Sequence, residues 1–191
     1  MKKNYSILLF LLVVCITSAV NAQPFKKGTN VASIGIGLGS NLLTSYSGYS
    51  SSPAISLQYE RGIQDIGGPG TISLGGYFGY KSYTYSNINY NDKITYTIIG
   101  VRGAYHYNGF NSGKDELSKL DVYGGIMVSA NLGSEKFTNY NGYTYRGGSF
   151  GSTAGITAFV GGRYFFTDNI AAMAELGYGI SYLTIGVSLK F

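Results

Sequence analysis

Few residues of this 191-residue chain have side chains suited to catalysis, and His106 is the single histidine. A histidine can act as a general base only where it reaches the proton that it abstracts. His106 lies in the segment IIGVRGAYHY (98–107), where it shares one parity with Arg102. We interpret it as a structural histidine, and the sequence predicts no catalytic residue, no cofactor and no metal site.

Charged residues make up only 12% of the chain, and several share one parity within alternating segments. These residues are Glu60, Lys81, Arg102, Asp121, Arg163, Glu175 and Lys190. If the alternating segments close into a barrel, this parity faces its narrow lumen, where opposite charges must pair because an unpaired buried charge is strongly destabilising. We therefore predict a lumen charge network of Glu60, Arg102, Asp121, Arg163 and Glu175. In it, Arg163 and Glu175 meet diagonally across a hairpin, and Glu175 is the hub.

Two short motifs resemble functional signals but lack the required context. GIGLG (35–39) has glycines that recur every second residue, whereas a dinucleotide loop needs a different spacing and a following helix. These glycines instead suit the lumen of a narrow barrel, which needs small side chains. KDEL (114–117) acts as a targeting signal only at the C-terminus of a chain, and here it is internal. We assign it to a connection between two β-strands, with a short helical turn in GKDELSKL (113–120).

The N-terminus has the layout of a secretory signal peptide. Lys2 and Lys3 precede the apolar run ILLFLLVVCI (7–16), and small residues allow cleavage after Ala22. The sequence thus predicts a signal peptide at 1–22 and one domain at 23–191. The only cysteine, Cys15, is then removed, so disulfides and thiolate chemistry are excluded. Removal of two lysines lowers the formal net charge from +5 to +3, too small an excess to indicate nucleic-acid binding.

Eight segments alternate apolar and polar residues with the period of a β-strand. They are NVASIGIGLG (30–39), AISLQYE (54–60), TISLGGYFGYK (71–81), IIGVRGAYHY (98–107), DVYGGIMVSANL (121–132), ITAFVGGRYFF (156–166), IAAMAELGYG (170–179) and LTIGVSLKF (183–191). An even number of such strands indicates a transmembrane barrel. The predicted fold is all-β, an eight-stranded antiparallel up-and-down barrel.

The aromatic residues distinguish a membrane barrel from a soluble sandwich. If both termini lie in the periplasm, every descending strand ends with an outward aromatic side chain at one membrane level. This periplasmic girdle consists of Tyr59, Tyr105, Tyr107, Tyr164, Phe166 and Phe191. Tyr80 and Tyr178 lie toward the opposite rim. Interfacial aromatic rings are typical of membrane barrels, and the last strand must pair with the first because lipid tolerates no open sheet edge.

The C-terminal segment carries a resemblance to a known group of proteins. Thr184, Gly186, Leu189 and Phe191 resemble the signal by which the assembly machinery recognises outer-membrane barrels. The run GRYFFTDNIAAMAELGYGISYLTIGVSLKF (162–191) is similar to the closing segment of small Bacteroidetes-type outer-membrane barrels, which have the plan of the outer-membrane protein A/X-like group. The resemblance implies a Gram-negative outer membrane and contact with outer-membrane lipid, lipopolysaccharide and the assembly machinery. We expect a porin-like but closed, monomeric barrel.

Two functional interpretations remain open. Three surface connections, at 40–53, 86–93 and 134–149, are rich in Tyr, Asn, Ser and Gly, a composition typical of adaptable binding surfaces. Their candidate binding residues, for an extracellular ligand that the sequence does not identify, are Tyr46, Tyr49, Tyr140, Tyr143 and Tyr145. The expected role is structural or adhesive. The alternative is an enzyme that transfers or removes acyl groups on lipid A, which some eight-stranded barrels resemble, although His106 is predicted at the periplasmic end of the lumen.

Overall fold

The computed structural model describes residues 25–39, 49–86, 90–107, 109, 115–139, 143–149 and 152–191. These residues form ten strands and one short helix. In chain order they are β1 (Asn30–Leu38), β2 (Ser50–Ser51), β3 (Ala54–Ile66), β4 (Gly70–Ser86), β5 (Tyr90–Tyr107), α1 (Asp115–Ser118), β6 (Leu120–Asn139), β7 (Thr144–Ser149), β8 (Thr153–Phe165), β9 (Ile170–Gly177) and β10 (Leu183–Lys190).

Eight of the strands close into an antiparallel barrel, which confirms the predicted fold. Around the barrel the order is β1, β3, β4, β5, β6, β8, β9 and β10, and each strand pairs with the next. The closing seam joins β1 to β10 over eight residue pairs, from Val31 opposite Lys190 to Leu38 opposite Leu183. The short strands β2 and β7 lie outside this ring and pair with β4 and β6.

The two faces of the barrel differ in polarity as the alternation predicts. Large aliphatic side chains are exposed on the outer face, including Ile36 (54%), Val128 (57%) and Leu176 (55%). The charged residues of the opposite parity are buried in the lumen, except for the partly exposed Lys190, and Arg102 and Arg163 are at most 1% exposed. A water-soluble domain has the reverse arrangement, because burial of apolar surface drives its folding.

The strands are longer than the sequence predicts at the end of the barrel opposite the termini, which is the predicted extracellular side. Strands β4 and β5 leave only 87–89 of the predicted connection 86–93, and β6 with β7 takes up most of the connection 134–149. The outward residues here, such as Thr84 and Thr95, are polar. The strands thus continue in this region without the apolar alternation by which the sequence marks them.

Aromatic side chains fill the half of the lumen on the predicted extracellular side, a feature that the strand parity does not predict. The buried cluster includes Tyr77, Tyr83, Tyr96, Ile98 and Ile180. On the periplasmic side, α1 is the predicted helical turn and contacts the start of β6. Among the described residues no helix is long and apolar enough to cross a membrane.

Candidate functional site in the barrel lumen

The charged residues of the lumen converge from five strands. Strand alternation turns Glu60 (β3), Arg102 (β5), Asp121 (β6), Arg163 (β8) and Glu175 (β9) inward, and all five are buried. Buried charges are tolerated only where partners satisfy them. The contacts of the lumen charge network therefore decide what this site can do.

Glu60 lies between the two arginines and bridges them. Its Oε1 atom is 3.0 Å from Nε of Arg102, and its Oε2 atom accepts a short hydrogen bond from Nη2 of Arg163. Glu60 itself is fully buried. One carboxylate thus holds two guanidinium groups, from β5 and β8, which are separated in the barrel by β6.

The carboxylate of Glu175 pairs with the two terminal nitrogens of Arg102. Arg102 donates from Nη1 and Nη2 to the two carboxylate oxygens at 3.2 and 2.6 Å. The Glu175 carboxylate also accepts hydrogen bonds from Gln58 Nε2 at 3.3 Å and from the Tyr123 hydroxyl at 3.0 Å. The guanidinium of Arg102 lies 3.7 Å from the ring centroid of Phe159, a cation–π contact that covers one of its faces.

The predicted pair between Arg163 and Glu175 is wrong. Arg163 donates instead to Asp121 at 3.1 Å, its direct partner on β6, and reaches across the lumen to Glu60. Tyr123 lies between the predicted partners, with its ring 4.3 Å from the Arg163 guanidinium carbon and its hydroxyl bonded to Glu175. The hub that contacts both arginines is therefore Glu60 and not Glu175.

His106 belongs to a hydrogen-bonded chain that the sequence analysis missed. Its Nδ1 atom is 2.8 Å from the Asp121 carboxylate, and its Nε2 atom is 3.0 Å from the Ser73 hydroxyl. Ser73, on β4, has the inward parity of a lumen residue, and this was the available sequence signal. The order of groups matches that of a Ser–His–Asp catalytic triad.

The surroundings of this chain do not fit catalysis. Ser73 is 1% exposed and His106 is fully buried, so a substrate carbonyl has no approach to the hydroxyl. Arg163 shares the Asp121 carboxylate, and the ring of Phe25 stacks on the imidazole at 3.7 Å between centroids. The geometry is that of a structural link between β4, β5 and β6, so it gives no support to the lipid A-modifying alternative. Among the described residues, no group of three His, Cys, Asp or Glu side chains is placed to hold a metal ion.

Phe25 closes the lumen at the end of the barrel that carries both termini, the predicted periplasmic end. Its side chain is 3% exposed, and its carbonyl accepts a hydrogen bond from Thr71 Oγ1 at 3.0 Å. The adjoining turn is held to the end of β3 by Asp65, whose carboxylate accepts hydrogen bonds from Lys27 N and Thr71 Oγ1. These two bonds, with the Lys27 bond contributing more, lower the pKa of exposed Asp65. The N-terminal segment thus acts as a plug that composition alone does not reveal.

The predicted assembly residues lie along the closing seam. Thr184 is buried and hydrogen-bonds Ser181 at 2.9 Å, while Gly186 stands opposite Gly35 of β1. Leu189 and Phe191 face outward, and they are 50% and 62% exposed. The seam is the place where the first and last strands of the chain must meet.

The candidate tyrosines of the surface connections differ in their surroundings. Tyr46 and Tyr140 lie outside the described residues. Tyr49 donates a 2.5 Å hydrogen bond to the buried Asp92 and packs on the aromatic cluster of the upper lumen. Tyr143 and Tyr145, just before and within β7, are 66% and 63% exposed. Among the candidate tyrosines of the surface connections whose side chains are described, only Tyr143 and Tyr145 have exposed rings.

Comparison with known proteins identifies a fold. No protein-family model matches the chain, and no curated protein sequence matches it. Among solved structures, it is similar to Ail, the attachment invasion locus protein of Yersinia pestis, which was solved with the heparin analogue sucrose octasulfate. The TM-score is 0.55 at 13% identity, over 86% of this chain and 99% of that one.

Two further solved barrels match less well. They are the N-terminal domain of Pseudomonas aeruginosa OprF, with TM-score 0.41, 17% identity and coverage of 87% and 98%, and neisserial surface protein A, with TM-score 0.42, 17% identity and coverage of 85% and 94%. The fold assignment rests on Ail and on the strand pairing itself. The chain therefore has the fold of a small eight-stranded outer-membrane β-barrel.

Proposed function

We propose that the protein is a closed, non-enzymatic barrel of a Gram-negative outer membrane, with a structural or surface-binding role. The observation that carries this proposal is the inverted polarity of the barrel, with aliphatic side chains exposed outside and ion pairs buried inside. Exposed apolar surface on this scale must be covered by lipid or by a partner. The similarity of 162–191 to small barrels of the outer-membrane protein A/X-like group also supports it.

Localisation is tested by membrane fractionation of cells that produce the full chain. We expect the protein in the outer-membrane fraction, resistant to alkaline extraction, with a folded form that migrates differently from the boiled form on a gel. Recovery in the soluble fraction, or loss on alkaline washing, would contradict the proposal.

Arginine substitutions on the outer face should destabilise the barrel according to depth. Val128→Arg places a charge on the exposed apolar face and should lower the free energy of unfolding by about 2–4 kcal/mol. Phe166→Arg, in the periplasmic girdle, should cost only ~0–1 kcal/mol. Ile36→Arg and Leu176→Arg should resemble Val128→Arg. Urea unfolding of the four variants in lipid vesicles measures the difference, and equal losses at both depths would refute a lipid-facing surface.

The barrel should conduct no steady ionic current. The lumen charge network and Phe25 fill its periplasmic half, and a cavity of about 10 Å³ beside Arg102 and Glu175 has room for a single water. Eight strands enclose an interior that side chains can fill. Planar-bilayer recordings of the purified protein should therefore stay at baseline. A large and stable conductance from the monomer would assign the protein to transport instead.

The surface-binding role depends on the exposed tyrosines. Tyrosine gives a rigid contact surface at low entropic cost, and Tyr143 and Tyr145 are its exposed representatives. Changing both to serine should reduce adhesion of producing cells to extracellular-matrix or host-cell ligands by tenfold or more, as for residues at the centre of an interface. Ser substitution of Tyr178, an exposed outer-face tyrosine beyond the end of β9, is the matched control. Unchanged adhesion across the ligand panel would leave only the structural role.

A further inference from the structure

A groove of about 350 Å³ lies on the outer face of the barrel near its periplasmic end. Its floor is Gly76 on β4, and its walls are Tyr59 on β3 and Val101 on β5, which stand directly opposite Gly76 on the two neighbouring strands. Leu74 and Arg61 form its periplasmic end. The groove is therefore the space on the apolar outer face where Gly76 has no side chain between the bulky side chains of Tyr59 and Val101.

The floor of the groove is backbone, and its Tyr59 wall is held in place by a hydrogen bond. A Cβ atom added at Gly76 would have only the Gly100 carbonyl oxygen near it, at 4.0 Å, so the space above the glycine is open. The Tyr59 wall is held by a 2.9 Å hydrogen bond from its hydroxyl to Asn30. In a membrane such a gap must be filled, because an empty space forfeits dispersion contacts. An acyl chain is the occupant that a bilayer supplies.

The periplasmic end of the groove is positively charged. Arg61 is exposed, faces outward beside Tyr59, and has no carboxylate within 4.0 Å among the described residues. The turn that carries the exposed Lys26 and Lys27 is bonded to the next residue of β3, through Gly28 N to Gly62 O at 2.8 Å. An outward arginine beside an interfacial tyrosine is at the depth of lipid phosphates, to which a guanidinium can form a bidentate pair.

We propose that this groove binds a phospholipid of the periplasmic leaflet, with its phosphate on Arg61 and one acyl chain lying over Gly76. The lysines of the adjoining turn favour an anionic headgroup over a zwitterionic one. Lipopolysaccharide is excluded as the occupant by position, since Arg61 lies at the periplasmic end of the barrel. This inference rests on the proposed membrane location, which places the outer face of the barrel in lipid.

The test is native mass spectrometry of the purified, delipidated barrel after addition of defined lipids. Phosphatidylglycerol should be retained best, phosphatidylethanolamine less, and diacylglycerol, which lacks the phosphate, least. Arg61→Gln should weaken phosphatidylglycerol binding about tenfold, as expected for loss of a charge-assisted contact. Lys136→Gln, which removes the same charge from β6 on the extracellular side, should leave binding unchanged.

The acyl part of the site has its own variant and control. Gly76→Leu should fill the groove and weaken binding of both phospholipids. Gly162→Leu adds the same side chain to another outward glycine, on β8, whose added Cβ has its nearest neighbour at 3.8 Å, and should have no effect. All variants are first checked for the heat-modifiable folded form, so that a misfolded barrel is not counted as loss of the site.

Three results would overturn the inference. Equal losses of phosphatidylglycerol binding from Arg61→Gln and Lys136→Gln would show general charge attraction. Equal losses of binding from the two glycine variants would show that the groove is not the binding site. Preferential retention of lipopolysaccharide would assign the bound lipid to the other leaflet. In each case a protein that still fractionates with the outer membrane retains its proposed function, whereas a soluble protein would lose both.

Discussion

Replacing Glu60 by alanine should lower the free energy of unfolding by about 3–5 kcal/mol, because each of the two buried arginines then loses one of its two carboxylate partners. Glu60 is the only carboxylate among the described residues that contacts both lumen arginines. Its loss leaves the Nε atom of Arg102 and the Nη2 atom of Arg163 unpaired in a site where both residues are at most 1% exposed. Urea unfolding in lipid vesicles, followed by tyrosine fluorescence and gel migration, measures the change.

Two matched variants separate the charge of Glu60 from its shape. Glu60→Gln keeps the volume but removes the charge, so it should recover only part of the lost stability. Glu175→Ala should cost less than Glu60→Ala, because Arg102 then retains Glu60 and Arg163 retains both of its partners. A larger loss from Glu175→Ala would make Glu175 the hub after all.

The faces of the strands could be predicted from the sequence because the period-two alternation is local. Glu60, Arg102 and Glu175 each follow from the parity of their own segment, without knowledge of any neighbour. Partner choice across the lumen is not local, since an arginine side chain spans several ångströms and can reach carboxylates on several strands. The predicted diagonal pair of Arg163 with Glu175 is compatible with the geometry of a β-hairpin, but the Tyr123 side chain occupies the space between the two residues.

The other differences between prediction and structure have two causes. Apolar–polar alternation marks a strand only where its two faces differ in polarity, so β4 and β5 extend past their predicted ends with polar residues on the outer face. The plug formed by Phe25 and the chain from Ser73 through His106 to Asp121 depend on contacts between residues far apart in sequence. Parity can place such residues in the lumen but cannot place them next to one another.

Replacing Gly186 by valine should prevent the barrel from closing. Gly186 stands opposite Gly35 at the closing seam, and a Cβ atom added there would overlap the Ile34 carbonyl oxygen and lie 2.7 Å from the Gly35 Cα atom. These are backbone atoms of the paired strand and cannot rotate away, so β1 and β10 must separate. An open seam exposes unpaired backbone groups, which lipid does not tolerate. Refolding of the purified chain into vesicles should then yield little or no heat-modifiable form.

Gly162→Val is the control for the added side chain, since an added Cβ on the outward Gly162 comes no closer than 3.8 Å to the nearest atom, the Asp121 carbonyl oxygen. It should refold like the wild type.

Deletion of Phe191 separates the closure of the barrel from the predicted assembly signal. It removes the terminal backbone pair with Asn30 and an exposed ring but leaves the eight pairs of the seam.

We therefore expect the Phe191 deletion to refold in vesicles yet to insert poorly in cells, where the assembly machinery must recognise the C-terminus. Gly186→Val should fail in both settings, because its defect lies in the packing of the strands themselves. Normal refolding of Gly186→Val would show that the seam can adjust to a side chain, and the glycine would then matter only for recognition. Normal insertion of the Phe191 deletion in cells would remove that residue from the signal.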